Sequence, residues 1–82
     1  MTENDIAAVV VDAALKIHKT PGPGLLESVY QATLSFELQK RGLRVVEQLA
    51  LPVHYEGVRL DLGFRVDLLV GDKVVIEISL LK

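Results

Sequence analysis

Near the N-terminus, apolar residues recur at Ile6, Val9, Val10, Ala13, Ala14 and Ile17, a spacing of threes and fours that draws one stripe down a helix. Thr2 to Asp5 reads as an N-cap with acids in the first turn, and the pattern ends by Thr20. His18 falls in the last turn, where it reads as a residue that satisfies a terminal carbonyl. Thr20-Pro21-Gly22-Pro23-Gly24 follows. Its prolines remove backbone donors and its glycines permit positive φ, so the segment predicts a tight turn. A second helical pattern runs from about Leu25 to Arg41, with Leu26, Val29, Tyr30, Leu34 and Leu38 on one side and Phe36 as a core or half-core residue. Gly42 supplies the left-handed residue that ends it.

From Leu43 the period shortens. Residues 43–56, 58–70 and 73–81 are rich in β-branched residues and alternate in part, and Glu56-Gly57 and Gly71-Asp72 divide them. Joints this short connect antiparallel neighbours. The expected architecture is therefore α+β: two N-terminal helices followed by a three-stranded antiparallel β-meander.

Composition narrows the chemistry. With 82 residues, half of them hydrophobic, the chain predicts a single domain, residues 1–82. It has no cysteine and only two histidines, His18 and His54, which excludes thiolate chemistry and argues against a histidine-rich zinc site; any metal would be oxygen-bound. The net charge of −2 gives no global pull toward nucleic acid or anionic lipid. Lys40, Arg41 and Arg44 cluster where the second helix ends, and the helix dipole accounts for the first two. No apolar stretch approaches the roughly 20 residues of a membrane span, so a soluble, cytoplasmic protein is the expectation.

Two carboxylates stand out in the apolar strands. Arg65, Asp67 and Leu69 share one face of the second predicted strand, and Val75, Glu77 and Ser79 share one face of the third. If Val70 pairs with Val74, Asp67 and Glu77 become cross-strand neighbours, with Cβ atoms roughly 5 Å apart, near enough to share a divalent cation. A two-residue turn at Gly71-Asp72 would instead oppose Asp67 to Ile76 and send the acids to opposite faces. The residues alone leave a second reading open, in which both acids face solvent from a half-exposed sheet and Arg65 is their ion partner.

The stretch "GLLESVY" (24–30) holds Gly24-x-x-Glu27-x-x-Tyr30. With "FELQKRGL", "LPVHYEGVRL", "GFRVDLLV" and "KVVIEI" in that order, the chain resembles the GxxExxY protein family, which is similar to the PD-(D/E)XK nuclease superfamily. The resemblance implies a partial restriction-endonuclease-like core that cleaves phosphodiesters of nucleic acid with magnesium. Carried over by position, Asp67 and Glu77 would be metal ligands, the carbonyl of Ile78 a third, and Glu27 a helix-borne acid completing the site.

Two departures bear on activity. The superfamily pattern expects lysine where this chain has Ser79. Serine's hydroxyl donates one hydrogen bond and carries no charge, so weak activity or none is expected, and loss of one such group commonly costs about a hundredfold or more in rate. The superfamily core also continues with a further helix and strand, which predicts a domain cut short after its third strand. The exposed edge of that strand would then pair with a second copy, giving a homo-oligomer. The alternative to a nuclease is a non-catalytic, self-associating module.

Overall fold

A computed structural model describes residues 1–19 and 26–79. The 20–24 turn, Leu25 and residues 80–82 lie outside the described residues. The elements are α1 (Glu3–Lys19), α2 (Glu27–Lys40), β1 (Val45–Ala50), β2 (Val53–Tyr55), β3 (Val58–Leu60), β4 (Arg65–Val70) and β5 (Val74–Ile76).

The start of α1 and the end of α2 form as their sequences predict. At the start of α1 the Thr2 hydroxyl accepts the Asp5 N–H at 3.2 Å, and the Asp5 carboxylate accepts the Thr2 N–H at 2.9 Å. Two orphan donors are thus satisfied reciprocally. At the end of α2, Gly42 takes φ 88°. Its N–H donates to Gln39 O, and the N–H of Leu43 donates to Leu38 O. This is a Schellman closure, with Leu43 buried beside the helix it ends.

The α+β class holds, but the strands differ from a three-stranded meander: five strands form two sheets, ordered β1-β4-β5 and β2-β3. The cause lies in two predicted strands that are each interrupted. Pro52, which lacks an N–H, falls between β1 and β2, and Gly63 at φ 70° falls between β3 and β4. The first gap spans two residues (Leu51, Pro52) and the second spans four (61–64), so the two ladders cannot share one register. Val53↔Leu60 and Leu49↔Val66 are accordingly offset, and the Leu51 N–H to Phe64 O bond at 3.0 Å bridges the break. Beyond it the β2-β3 hairpin turns on Glu56 (φ 49°) and Gly57 (φ 76°), both positive as a type I′ turn requires.

Both helices pack against the three-stranded sheet, α1 touching β5 and α2 touching β1 and β4. The core is Ile6, Ala13 and Ile17 of α1; Tyr30, Leu34 and Leu38 of α2; and Leu43, Leu68 and Val70. The stripe on α1 seats as expected, with Val9 and Val10 partly buried against the core. On α2 the seat is narrower than the sequence predicts. Leu26 precedes the helix as its cap and is 70% exposed, Val29 is exposed, and Phe36 is 68% exposed rather than half-core. The side that wins carries Tyr30, Leu34 and Leu38 at intervals of four and buries Ser35, whose hydroxyl accepts from Gln39.

The two helices are also clamped by charge. The Glu37 carboxylate accepts Arg41 Nε at 2.9 Å and Lys16 Nζ at 3.0 Å, and Arg41 Nη1 reaches Asp12 at 2.6 Å. Of the predicted basic cluster, Arg41 therefore ties α2 to α1, and Arg44 pairs with Asp72 at 3.4 Å.

Candidate active site

The hairpin between β4 and β5 decides where the acids fall. Gly71 and Asp72 take φ 60° and 58°, and the Lys73 N–H closes a turn onto Val70 O at 3.1 Å. The ladder nevertheless resumes at Val70↔Val74, followed by Leu69↔Val75 and Leu68↔Ile76, so Lys73 is a one-residue bulge. That extra residue sets the parity. One step further along the same register, position 77 stands opposite position 67.

The ladder does not continue there. β5 ends at Ile76, and the Ile78 N–H donates to Asp67 Oδ2 at 2.7 Å. The two strands thus part around the Asp67 carboxylate. Burial along β4 alternates, with Val66, Leu68 and Val70 buried and Asp67 half-buried between them. Glu77 and Ser79 are exposed and, with Ile76 and Ile78, form one wall of a groove of about 480 Å³ whose other wall includes Val10, His18 and Tyr30.

The other oxygen of Asp67 is held from β1. Gln48 Nε2 donates to Asp67 Oδ1 at 3.1 Å and to Gln31 Oε1 of α2 at 2.8 Å, while Gln31 Nε2 donates to Glu47 Oε1 at 3.2 Å. Two amides therefore link two carboxylates through three N–H to oxygen bonds. Gln48 has φ 51°, a left-handed backbone rare for a residue with a long side chain, and Arg65 Nη1 donates to its carbonyl at 3.3 Å. Arg65 thus holds a peptide rather than pairing with the acids, as the solvent-facing reading had it. Glu27 opens α2, four residues before Gln31 and so on the same helix face. Gln31 and Gln48 carry no motif; the β1-β4 register, with Glu47 opposite Leu68 and Leu49 opposite Val66, brings Gln48 across from Asp67, and that pairing of distant segments is not signalled by the residues themselves.

His18 does not cap a carbonyl. Its Nε2 lies 3.2 Å from the Tyr30 hydroxyl, with ring centroids 5.4 Å apart. Burial raises the Tyr30 hydroxyl above its ordinary pKa of 10.0, so the phenol keeps its proton near neutrality. His54 lies in β2 opposite Arg59, a strand residue as expected.

Among the described residues, no three His, Cys, Asp or Glu side chains stand close enough to hold a metal together. The Asp67 carboxylate at the parting of β4 and β5 is a hard oxygen donor, of the kind that suits a hard ion bound through one or two carboxylates plus water. Each Asp67 oxygen accepts a single hydrogen bond, which leaves a lone pair on each for a cation.

A family model described as the PD-(D/E)XK nuclease superfamily matches residues 4–82. The chain belongs to this superfamily. No curated protein and no solved structure matches it significantly. Superfamily membership makes the chain nuclease-like, from a group of enzymes that commonly use divalent metals on nucleic acid. No helix among the described residues is long and apolar enough to cross a membrane.

Proposed function

We propose that the chain is a magnesium-dependent phosphodiester hydrolase acting on nucleic acid, slowed by the serine at position 79. The observation that supports this reading is the Val70↔Val74 register, which, carried one step beyond the last pair, would set position 77 opposite Asp67 where β4 and β5 part. Asp67, Glu77 and the Ile78 carbonyl would hold the ion, and Glu27 would act from the facing helix. When bound, magnesium supplies charge neutralisation at the phosphate and an acidified water.

The chain's own residues do the rest. The Ile78 N–H and the Gln48 amide fix the Asp67 carboxylate in one orientation, so that its remaining lone pairs point one way. Ser79, beside Glu77 on the groove wall, would donate one hydrogen bond from its hydroxyl to the phosphate. In the balanced reaction, water adds to phosphorus as the P–O bond to the leaving sugar oxygen breaks, and that oxygen takes up a proton. Serine offers no positive charge to the phosphate as charge develops, which limits the rate.

A second reading, a non-catalytic self-associating module, draws support from the same serine and from the outer edge of β5. That edge pairs with no strand among the described residues, and Val75 on it is 50% exposed. Magnesium titration with a labelled oligonucleotide separates the two readings. The nuclease binds the ion and cleaves slowly, and Asp67→Asn abolishes both; a chain that does neither and elutes as a dimer in light scattering supports the module.

A further inference from the structure

We infer that Gln48 is the positioning residue of this site: one side-chain amide, delivered by a strained backbone, locks Asp67 of β4 to Gln31 of α2 and so sets the strand acid against the helix face that carries Glu27. The inference rests on the nuclease reading for its purpose, but its geometry stands apart from any bound ion.

Three observations carry it. First, both hydrogens of the Gln48 amide are used, one on Gln31 at 2.8 Å and one on Asp67 at 3.1 Å, so a single group joins two elements that meet through few other polar contacts. Second, Gln48 holds φ 51°. A position chosen only for that backbone would favour Gly or Asn, whereas Gln keeps a long amide at the cost of the strain. Third, the strain has local support, since Arg65 Nη1 grips the Gln48 carbonyl at 3.3 Å and Gln31 is itself anchored on Glu47 at 3.2 Å.

The consequence is specific. Asp67 is held at both oxygens, by Gln48 on one and by the Ile78 N–H on the other. Releasing the first lets the carboxylate turn about its last torsion, and the second bond then lengthens. Gln48 therefore reports through the Ile78 amide, on the far strand, without touching it.

The test uses the full chain without metal first. Gln48→Gly keeps the left-handed backbone free of strain and removes the amide; Gln48→Glu keeps the length and strain but replaces the donor with a third acceptor. Both are expected to accelerate hydrogen exchange at the Ile78 amide by about tenfold, as loss of one hydrogen bond allows. Gln48→Gly should melt no lower than wild type, because the strain it relieves offsets the bonds it removes. Magnesium affinity by calorimetry should fall about 10- to 100-fold in both variants. Unchanged Ile78 exchange in Gln48→Gly overturns the inference, and so does faster exchange accompanied by a lower melting temperature, which marks a merely structural role. A wild-type chain that binds no magnesium overturns the nuclease reading alone, and the Ile78 measurement still decides the role of Gln48.

Discussion

Replacing Gly71 with alanine should destabilise the protein far more than one added methyl suggests. Gly71 sits at φ 60° in the turn that sets the β4-β5 register, and its N–H donates to Arg44 O at 2.8 Å. An L-residue in this conformation costs roughly 1–2 kcal/mol. A Cβ built on Gly71 would lie 2.7 Å from Ile6 Cδ1. The end of an isoleucine side chain yields easily at a surface, but Ile6 is only 2% exposed and is enclosed in the core. Overpacking of this kind costs roughly 1–3 kcal/mol. The two effects together predict a loss of about 2–5 kcal/mol, which for a domain of this size lowers Tm by at least about 10 °C. Urea denaturation followed by circular dichroism reads the loss, with the slope against denaturant unchanged. The steric part is separable: Ile6→Val removes the Cδ1 that the added methyl would strike and alone costs about 0.5–1.5 kcal/mol. In the double variant the combined loss should fall short of the sum of the two single losses by about 1 kcal/mol. A Gly71→Ala protein within about 0.5 kcal/mol of wild type, or a cycle that is additive, would refute the reasoning.

Two further outcomes follow from other parts of the molecule. The Thr2 N–H, more than its hydroxyl, holds the Asp5 carboxyl below its ordinary 3.8, and hydrogen bonds from Arg41 and then Lys16 hold that of Glu37 below its ordinary 4.5. Both are depressed in the folded state, so their contribution is fully present above those ordinary values and is lost as the pH falls through the lowered ones; urea midpoints should drop below about pH 4.5 and less steeply in high salt, and midpoints flat from about pH 5 to pH 2 would contradict this. Ser79→Lys should raise magnesium-dependent cleavage by about a hundredfold if the nuclease reading holds, by placing a charge on the groove wall beside Glu77; steady-state turnover of a labelled oligonucleotide measures it, and an unchanged rate argues that charge is not what limits the site.

What the sequence made legible is local. The Thr2-Asp5 cap, the Gly42 closure, the turns at 56–57 and 71–72 and the stripe on α1 all depend on neighbours within a few positions, and each forms as read. The alternation that set Asp67 and Glu77 apart from the core also persists in the burial of β4. The parts that escaped depend on comparing distant segments. Pro52 alone looks like a tolerable residue in an edge strand; only against the longer 61–64 segment does the two-residue mismatch split the sheet. Phe36 carries a large apolar ring yet stays exposed, because α2 can bury only one side and Tyr30, Leu34 and Leu38 hold it. His18 finds Tyr30 across a helix pair rather than its own carbonyls.

The parting of β4 and β5 links the register to the chemistry. Had the ladder run on, Ile78 would stand opposite Val66 and its peptide groups would serve the sheet, leaving Asp67 Oδ2 without its partner while Gln48 still held Oδ1. Because pairing stops at Ile76, the Ile78 N–H is released to Asp67, and the segment that carries Glu77 and Ser79 beyond β5 forms the wall of a groove. The Lys73 bulge supplies the matching condition: were Lys73 itself paired with Val70, the same parting would expose Ile76 beside Asp67 and turn position 77 to the buried face. The bulge at Lys73 and the pair forfeited beyond Ile76 thus act together, the first fixing the parity of position 77 and the second releasing the Ile78 N–H to Asp67. Deleting Lys73 leaves Val74 to pair with Val70 across the two-residue Gly71-Asp72 turn, so the Ile78 amide of that variant should stay as protected from hydrogen exchange as in wild type, and faster exchange there would refute the register argument.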